Sequence, residues 1–194
     1  MSLQILLASS SRYRRELLGR LLPSFDSVSP DVDENAFHDL EPTPDSLAQR
    51  LATEKTLDVF RRFPEAIVIG SDQLVDLNGQ VLGKPGTVSA AVDQLMFMSG
   101  KTHRLLTAVC IAAPGKSLTS ILNETRLTMR SLTADEALRY VERDQPLDCA
   151  GSYKIESLGV SLFEKIETAD FTAIMGLPLI QVSQSLRELG VAIP

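Results

Sequence analysis

The stretch with the densest potential for chemistry is Ala66–Gly86, AIVIGSDQLVDLNGQVLGKPG. Within it, Gly70-Ser71-Asp72-Gln73 sets a carboxylate between two hydrogen-bonding side chains. These residues follow the β-branched run Ala66–Ile69, which reads as a strand buried on both faces. Open α/β sheets place their chemistry beyond such strands. Asn78-Gly79 is the dipeptide of a tight type I′ hairpin, so Leu74–Leu77 and Gln80–Leu82 pair as two short strands. The second delivers Gly83-Lys84-Pro85, returning a lysine towards the carboxylate at Asp72. The alternative is plainer: Asp72 caps a turn and Lys84 is solvated.

A second group lies near the start. Leu3–Ala8 reads as a buried strand, Ser9-Ser10-Ser11 breaks it, and Arg12–Leu22 reads as a helix. Arg12, Arg14 and Arg15 then crowd the first helical turn, where the macrodipole disfavours cations by about 0.3–1 kcal/mol each. An anion held by the Ser9 turn, its amides and a guanidinium would answer that cost; a solvated basic face with Glu16 as local partner is the other reading. Further on, Asp31, Asp33 and Glu34 place three carboxylates within four residues. Such a turn is most often a solvated loop, and it can also hold a divalent cation, since Mg²⁺ takes one or two carboxylates plus substrate phosphates. Finally, Pro44 and Asp45 open a helix to about Arg62, on which Leu47, Ala48, Leu51, Ala52 and Val59 share an arc with Lys55 at its centre. An inward lysine needs an anion or a route to the surface.

The remaining elements must hold these groups in place. Phe25–Ser29 reads as a strand and Phe37–Thr43 as a polar connection. Thr87–Ser99 is a helix capped by Thr87 and stopped by Gly100. Thr102–Ala113 and Leu118–Arg130 are long strands, the second with a wetter face through Leu122, Glu124, Arg126, Thr128 and Arg130. Thr133 and Glu136 form a capping box that opens a helix to about Arg143. Cys149–Glu156 is a small-residue turn, Gly159–Lys165 a strand, 167–173 a loop, and Pro178 opens a last helix that Gly190 stops.

Composition sets limits. The 194 residues suit one domain, or one domain with two lobes. At 44% hydrophobic residues with no tryptophan, the core is mainly aliphatic. A net charge of −6 argues against nucleic-acid binding. Cys110 and Cys149 suggest neither a disulfide framework nor a zinc site and read as reduced core residues. His38 and His103 have no neighbours that suggest a triad and read as structural or surface. No apolar run approaches the roughly 20 residues that span a bilayer, so a soluble, cytoplasmic protein without a membrane partner is expected.

Together Ser9, Arg14, Glu34, Lys55, Asp72 and Lys84 supply three cations, two carboxylates and a hydroxyl turn. Attack on a phosphoanhydride is mainly positioning and charge neutralisation, with one carboxylate to orient water, and needs no covalent nucleophile.

In chain order, LASSSRYRRELL (Leu7–Leu18), the Asp33-Glu34 turn, Glu54-Lys55, IGSDQ (Ile69–Gln73), GKP (Gly83–Pro85), CAGSYK (Cys149–Lys154) and MGLPL (Met175–Leu179) resemble the Maf-like nucleoside triphosphate pyrophosphatases. The resemblance implies one domain over 1–194: an elongated mixed-sheet α/β fold, two lobes with a central cleft, often a homodimer. It implies hydrolysis of a nucleoside triphosphate to the monophosphate and pyrophosphate with Mg²⁺ or Mn²⁺. By motif, Asp72 would accept the water proton, Ser9, Arg14, Lys55 and Lys84 would hold phosphates, and Glu34 with Asp72 would ligate the metal. Tyr13, Gln73 and Glu156 fall on the specificity positions. SDQ with an aromatic at Tyr13 looks like the 7-methyl-GTP branch rather than the dTTP/UTP branch, and an N7-methylated guanine is a cation that an aromatic face and a carboxylate would attract. Arg12 stands where the family usually has proline. A nucleotide-binding regulator linked to septum formation is the alternative from another class.

Overall fold

The computed structural model describes residues 4–38 and 40–194. Leu3, the first residue of the expected opening strand, and Asp39, inside the expected polar connection, lie outside the described residues. In chain order the elements are β1 (Ile5–Ala8), α1 (Arg12–Leu18), β2 (Asp26–Ser27), α2 (Asn35–His38), α3 (Pro44–Arg62), β3 (Ile67–Leu77), β4 (Gln80–Leu82), α4 (Val88–Met98), β5 (Thr102–Ala112), β6 (Thr119–Met129), α5 (Ala134–Asp144), β7 (Phe163–Glu167) and α6 (Leu179–Glu188). Short 3₁₀ turns cover Ala150–Ser152, Leu158–Leu162 and Phe171–Met175. The result is a mixed α/β fold whose seven strands pair in the order β2-β1-β3-β5-β6-β7, with β4 on β3. β1 pairs parallel to β2 and β3, whereas β3–β4 and β6–β7 are antiparallel. Among the described residues no helix is long and apolar enough to cross a membrane.

The chain divides into two compact units. The first comprises the residues up to Asp72 with Thr107–Asn123 and Asp170–Pro194; the second comprises Gln73–Leu106 and Glu124–Ala169. In the first unit, β1 and β3 are buried on both faces, as their apolar runs require. Leu7, Ile67 and Ile69 join Leu17 and Leu18 of α1 and Val182 and Leu186 of α6 in one core, while Leu6, Ala8, Ala66 and Val68 join Val59 of α3 in another. Thr43 caps α3 in a capping box with Ser46, and Pro44 stands in its first turn, where a missing amide costs nothing. In the second unit, the Asn78-Gly79 turn takes φ values of 55° and 89° and registers Leu77 opposite Gln80, the type I′ geometry read from the dipeptide. Thr133 and Glu136 form the expected capping box on α5, and on β6 Asn123, Thr125, Leu127 and Met129 are buried while the residues of the other parity are wetter.

Several expectations are corrected. α1 stops at Leu18, where Gly19 caps it, four residues short of Leu22. The second strand shrinks to Asp26–Ser27, held by parallel pairing to Leu6 and Leu7. A helical turn, Asn35–His38, enters the connection expected to begin at Phe37, with Asp33 Oδ1 accepting the Asn35 N–H. Leu158–Leu162 forms a 3₁₀ turn, so the strand expected from Gly159 starts at Phe163. Most important for the site, Gly70–Gln73 is not a turn beyond a strand but the middle of the eleven-residue β3.

Candidate active site

Gly70 explains how α3 comes so close to β3. A Cβ there would strike Thr56 Oγ1 and lie 2.9 Å from the Thr56 N and 3.0 Å from the Ala52 carbonyl oxygen. Only a bare backbone lets the helix lie against the strand at this point. Thr56 donates its hydroxyl back to the Ala52 carbonyl and lies fully buried beside Lys55.

This packing aims Lys55 inward, as its place on the apolar arc of α3 predicts, and its charge is matched. The Nζ lies 2.5 Å from Asp72 Oδ1 and 2.7 Å from Glu34 Oε1. Lys55 and Asp72 are buried and Glu34 is half exposed. The second Asp72 oxygen, Oδ2, is buried without a hydrogen-bond partner. An unsatisfied buried carboxylate oxygen is costly, and it marks a place prepared for something not of the chain.

The hydroxyl turn stands at the end of β1. Ser9 is buried, and its Oγ accepts the Ser11 N–H at 3.1 Å. Ser11 in turn caps α1 by accepting the Arg14 N–H. The three arginines of the first turn separate: Arg12 stacks over the Tyr13 ring at 4.9 Å, Arg15 Nε donates to Ser27 Oγ, and Arg14 Nε donates to the Gly176 carbonyl at 3.1 Å. Burial draws the Arg14 guanidinium below its usual range, while the charges of Asp72 and Glu34 pull it back up. Arg14, Glu34, Lys55 and Asp72 therefore belong to one electrostatic group in the first unit, with Ser9 on the neighbouring strand end.

The acidic turn serves this group with one residue. Glu34 pairs with Lys55, whereas Asp33 caps α2. No set of three or more His, Cys, Asp or Glu side chains gathers for a metal among the described residues. Two carboxylates around one lysine, one of them with an unpartnered oxygen, do fit a divalent cation that takes its other ligands from phosphates.

Lys84, Gln73 and Glu156 lie in the second unit. Lys84 and Glu156 are exposed, and Gln73 is half-buried on β3. On the same unit, Arg104 of β5 grips Asp76 of β3 with Nε and Nη2 at 2.8 and 2.7 Å and reaches Glu124 of β6 with Nη1 at 3.1 Å. The strand parity of Glu124 hinted at this network, but Asp76 and Arg104 gave no signal of it. His103 is structural: it is buried, its Nε2 is 3.1 Å from the Tyr153 hydroxyl, and its Nδ1 has no partner. Burial lowers its pKa to about 4. His38 is at the surface. Cys110 is a core residue, whereas Cys149 is only half-buried, correcting the reading that placed both in the core. Burial first, and then Asp148, push the Cys149 thiol up to about 12, which disfavours the nucleophilic thiolate.

The sequence singled out Ser71 beside Asp72, and Gly176 within MGLPL, but nothing in it gave either residue a role. Ser71, fully buried next to Asp72, donates its Oγ to the Gly176 carbonyl at 2.9 Å.

Comparison with known proteins agrees in extent with the motifs. The family described as "Maf-like protein" matches residues 4–189. A Xanthomonas axonopodis pv. citri protein named 7-methyl-GTP pyrophosphatase is 50% identical over 191 residues, 98% of this chain and 99% of that one. A Bdellovibrio bacteriovorus protein of the same name is 46% identical over 188 residues, covering 97% and 98%. Among solved structures, the Staphylococcus aureus Ham1 protein has a TM-score of 0.55 at 14% identity, covering 95% of this chain and 99% of that one. A HAM1 protein from Coxiella burnetii has a TM-score of 0.53 at 14% identity, covering 96% and 100%. At that identity the two structures bear on the fold alone.

Proposed function

The chain belongs to the Maf-like protein family, and from that premise we propose that it hydrolyses 7-methyl-GTP to 7-methyl-GMP and pyrophosphate. The reaction rests on one observation above all: Asp72 is held inside a buried strand with one oxygen on Lys55 and the other unpartnered. The base rests on the near-full-length relatives that bear the 7-methyl-GTP name.

In this reading Asp72 Oδ2 orients a water and accepts its proton as the water oxygen attacks the α-phosphorus. The bond from that phosphorus to the α,β-bridging oxygen breaks, and pyrophosphate leaves. Lys55 and Arg14 neutralise charge on the phosphates, the Ser9 turn seats them, and Lys84 adds a further cation. Glu34 and Asp72, with phosphate oxygens, would hold Mg²⁺ or Mn²⁺, which supplies additional charge neutralisation when bound. General-base catalysis contributes about 10²–10⁴-fold, so Asp72→Asn should lose at least that much. Tyr13, Gln73 and Glu156 read the base: an aromatic face and a carboxylate suit the positive charge of N7-methylguanine.

The test is pyrophosphate release from 7-methyl-GTP, GTP, dTTP and UTP with Mg²⁺ or Mn²⁺, by the wild type and Asp72→Asn. Preference for 7-methyl-GTP, lost in the variant, is expected. Preference for dTTP or UTP would retain the mechanism and discard the base. Silence across the panel, with nucleotide still bound, would favour a binding regulator linked to septum formation. Substitutions of Tyr13, Gln73 and Glu156 should reorder the substrates; uniform loss would remove their specificity role. A cytoplasmic location and a homodimer complete the reading, tested by cell fractionation and by light scattering.

A further inference from the structure

We infer that Ser71 and Gly176 are positioning residues that fix the Arg14 guanidinium for phosphate binding. The inference rests on the phosphate role given to Arg14 above. The Gly176 carbonyl oxygen accepts two hydrogen bonds, from Ser71 Oγ at 2.9 Å and Arg14 Nε at 3.1 Å. Both lone pairs of that oxygen are thereby used.

The anchor is itself fixed. Ser71 is fully buried in β3, one residue before Asp72. The loop bearing Gly176 is tied down by Thr107 of β5, whose hydroxyl donates to the Ala173 carbonyl at 2.9 Å. The Gly176 N–H also bonds Ala173, and Asp170 Oδ1 accepts the Thr172 N–H. Gly176 has a φ of 106°, and a Cβ there would stand 3.2 Å from Arg14 Nε. Glycine therefore serves both the backbone conformation and the approach of the guanidinium.

With Nε committed to the carbonyl, the plane of the guanidinium is set and its Nη hydrogens remain for an anion. An arginine pre-organised in this way loses less freedom on gripping a phosphate than one that must be ordered on binding. Lysine could not substitute, because its single nitrogen cannot hold the carbonyl in that fork geometry while presenting a second, fixed pair of donors. One strand thus delivers on consecutive residues the brace for a phosphate-binding cation and the carboxylate that orients water.

The test is titration of inorganic pyrophosphate with Mg²⁺ into the full chain, which needs no turnover and no particular base. Ser71→Ala should weaken binding about 10-fold, Arg14→Ala at least as much, and the double variant no more than Arg14→Ala alone. Arg14→Lys, which keeps the charge and leaves the strand intact, should also bind about 10-fold more weakly. In nitrogen-15 NMR the Arg14 Nε–H should exchange slowly in the wild type and rapidly in Ser71→Ala, a change that general destabilisation would not confine to one signal. If the Ser71→Ala and Arg14→Ala losses add in full, or Arg14→Lys binds as the wild type does, the positioning role is overturned while the phosphate site stands. If the wild type binds no pyrophosphate, the phosphate site falls and the inference with it.

Discussion

Replacing Lys55 with methionine should destabilise the protein far more than removing Glu34. The two ion pairs of Lys55 differ in burial: the side chains of Lys55 and Asp72 are 10% and 7% exposed, that of Glu34 51%. Methionine keeps the apolar stem of Lys55 but leaves Asp72 with neither oxygen partnered, since Oδ2 already has none. Breaking a buried pair by removing one partner typically costs about 3–5 kcal/mol, whereas a half-exposed partner is worth about 0–1 kcal/mol. For a chain of this size each kcal/mol lowers Tm by roughly 2–4 °C, so Lys55→Met should melt about 6–20 °C lower and Glu34→Gln within about 4 °C of the wild type. The double variant Lys55→Met/Asp72→Leu removes the stranded charge and should recover most of the loss. Urea unfolding of the four proteins at pH 7 measures the differences. A loss below about 1 kcal/mol in Lys55→Met, or a double variant no more stable than the single, would refute the reasoning that the Lys55–Asp72 pair is a buried ion pair whose breaking strands a charge.

Gly70→Ala should cost at least about 1–3 kcal/mol by overpacking α3 against β3, and calorimetric melting would show it; a melting point equal to that of the wild type would mean that the approach of Thr56 to the strand is not tight. His103 makes the protein acid-sensitive. Its pKa falls from 6.5 to about 4, so the unfolded chain takes up the proton below about pH 6.5 and the folded chain does not until about 4. This stability is complete above that window and lost as pH falls through it, by about 3 kcal/mol at about 1.4 kcal/mol per unit; His103→Gln should flatten that part of the curve, and an unchanged slope would assign it to other groups. Chelation with EDTA should abolish pyrophosphate release and Mg²⁺ or Mn²⁺ should restore it, whereas activity surviving exhaustive chelation would remove the metal from the mechanism.

What could be read from the sequence was what is local. Lys55 stood out because a cation at the centre of an apolar arc needs an anion, and α3 alone defines that arc. The Asn78-Gly79 hairpin and the Thr133/Glu136 cap are specified within four residues each. The continuity of β3 was not legible, because Ser71 and Asp72 look like strand breakers until their partners are known. Those partners, Gly176 and Lys55, lie 105 and 17 residues away, and no local pattern names them. The brevity of β2 has the same origin, since pairing with β1, not the apolar content of Phe25–Ser29, decides which of its residues become strand.

The interleaving of the two units governs how the chain can be made. β3, β5 and β6 each carry residues of both units, and Asp170–Pro194 returns to the first. On the ribosome, Leu7 and Ile67 emerge long before Leu177, Val182 and Leu186, which close the core around them. Such non-local closure is slow and leaves apolar strands exposed meanwhile. The carbonyl that holds Arg14 follows it by 162 residues, so a nascent chain carries the Lys55–Asp72 pair long before Arg14 has its anchor.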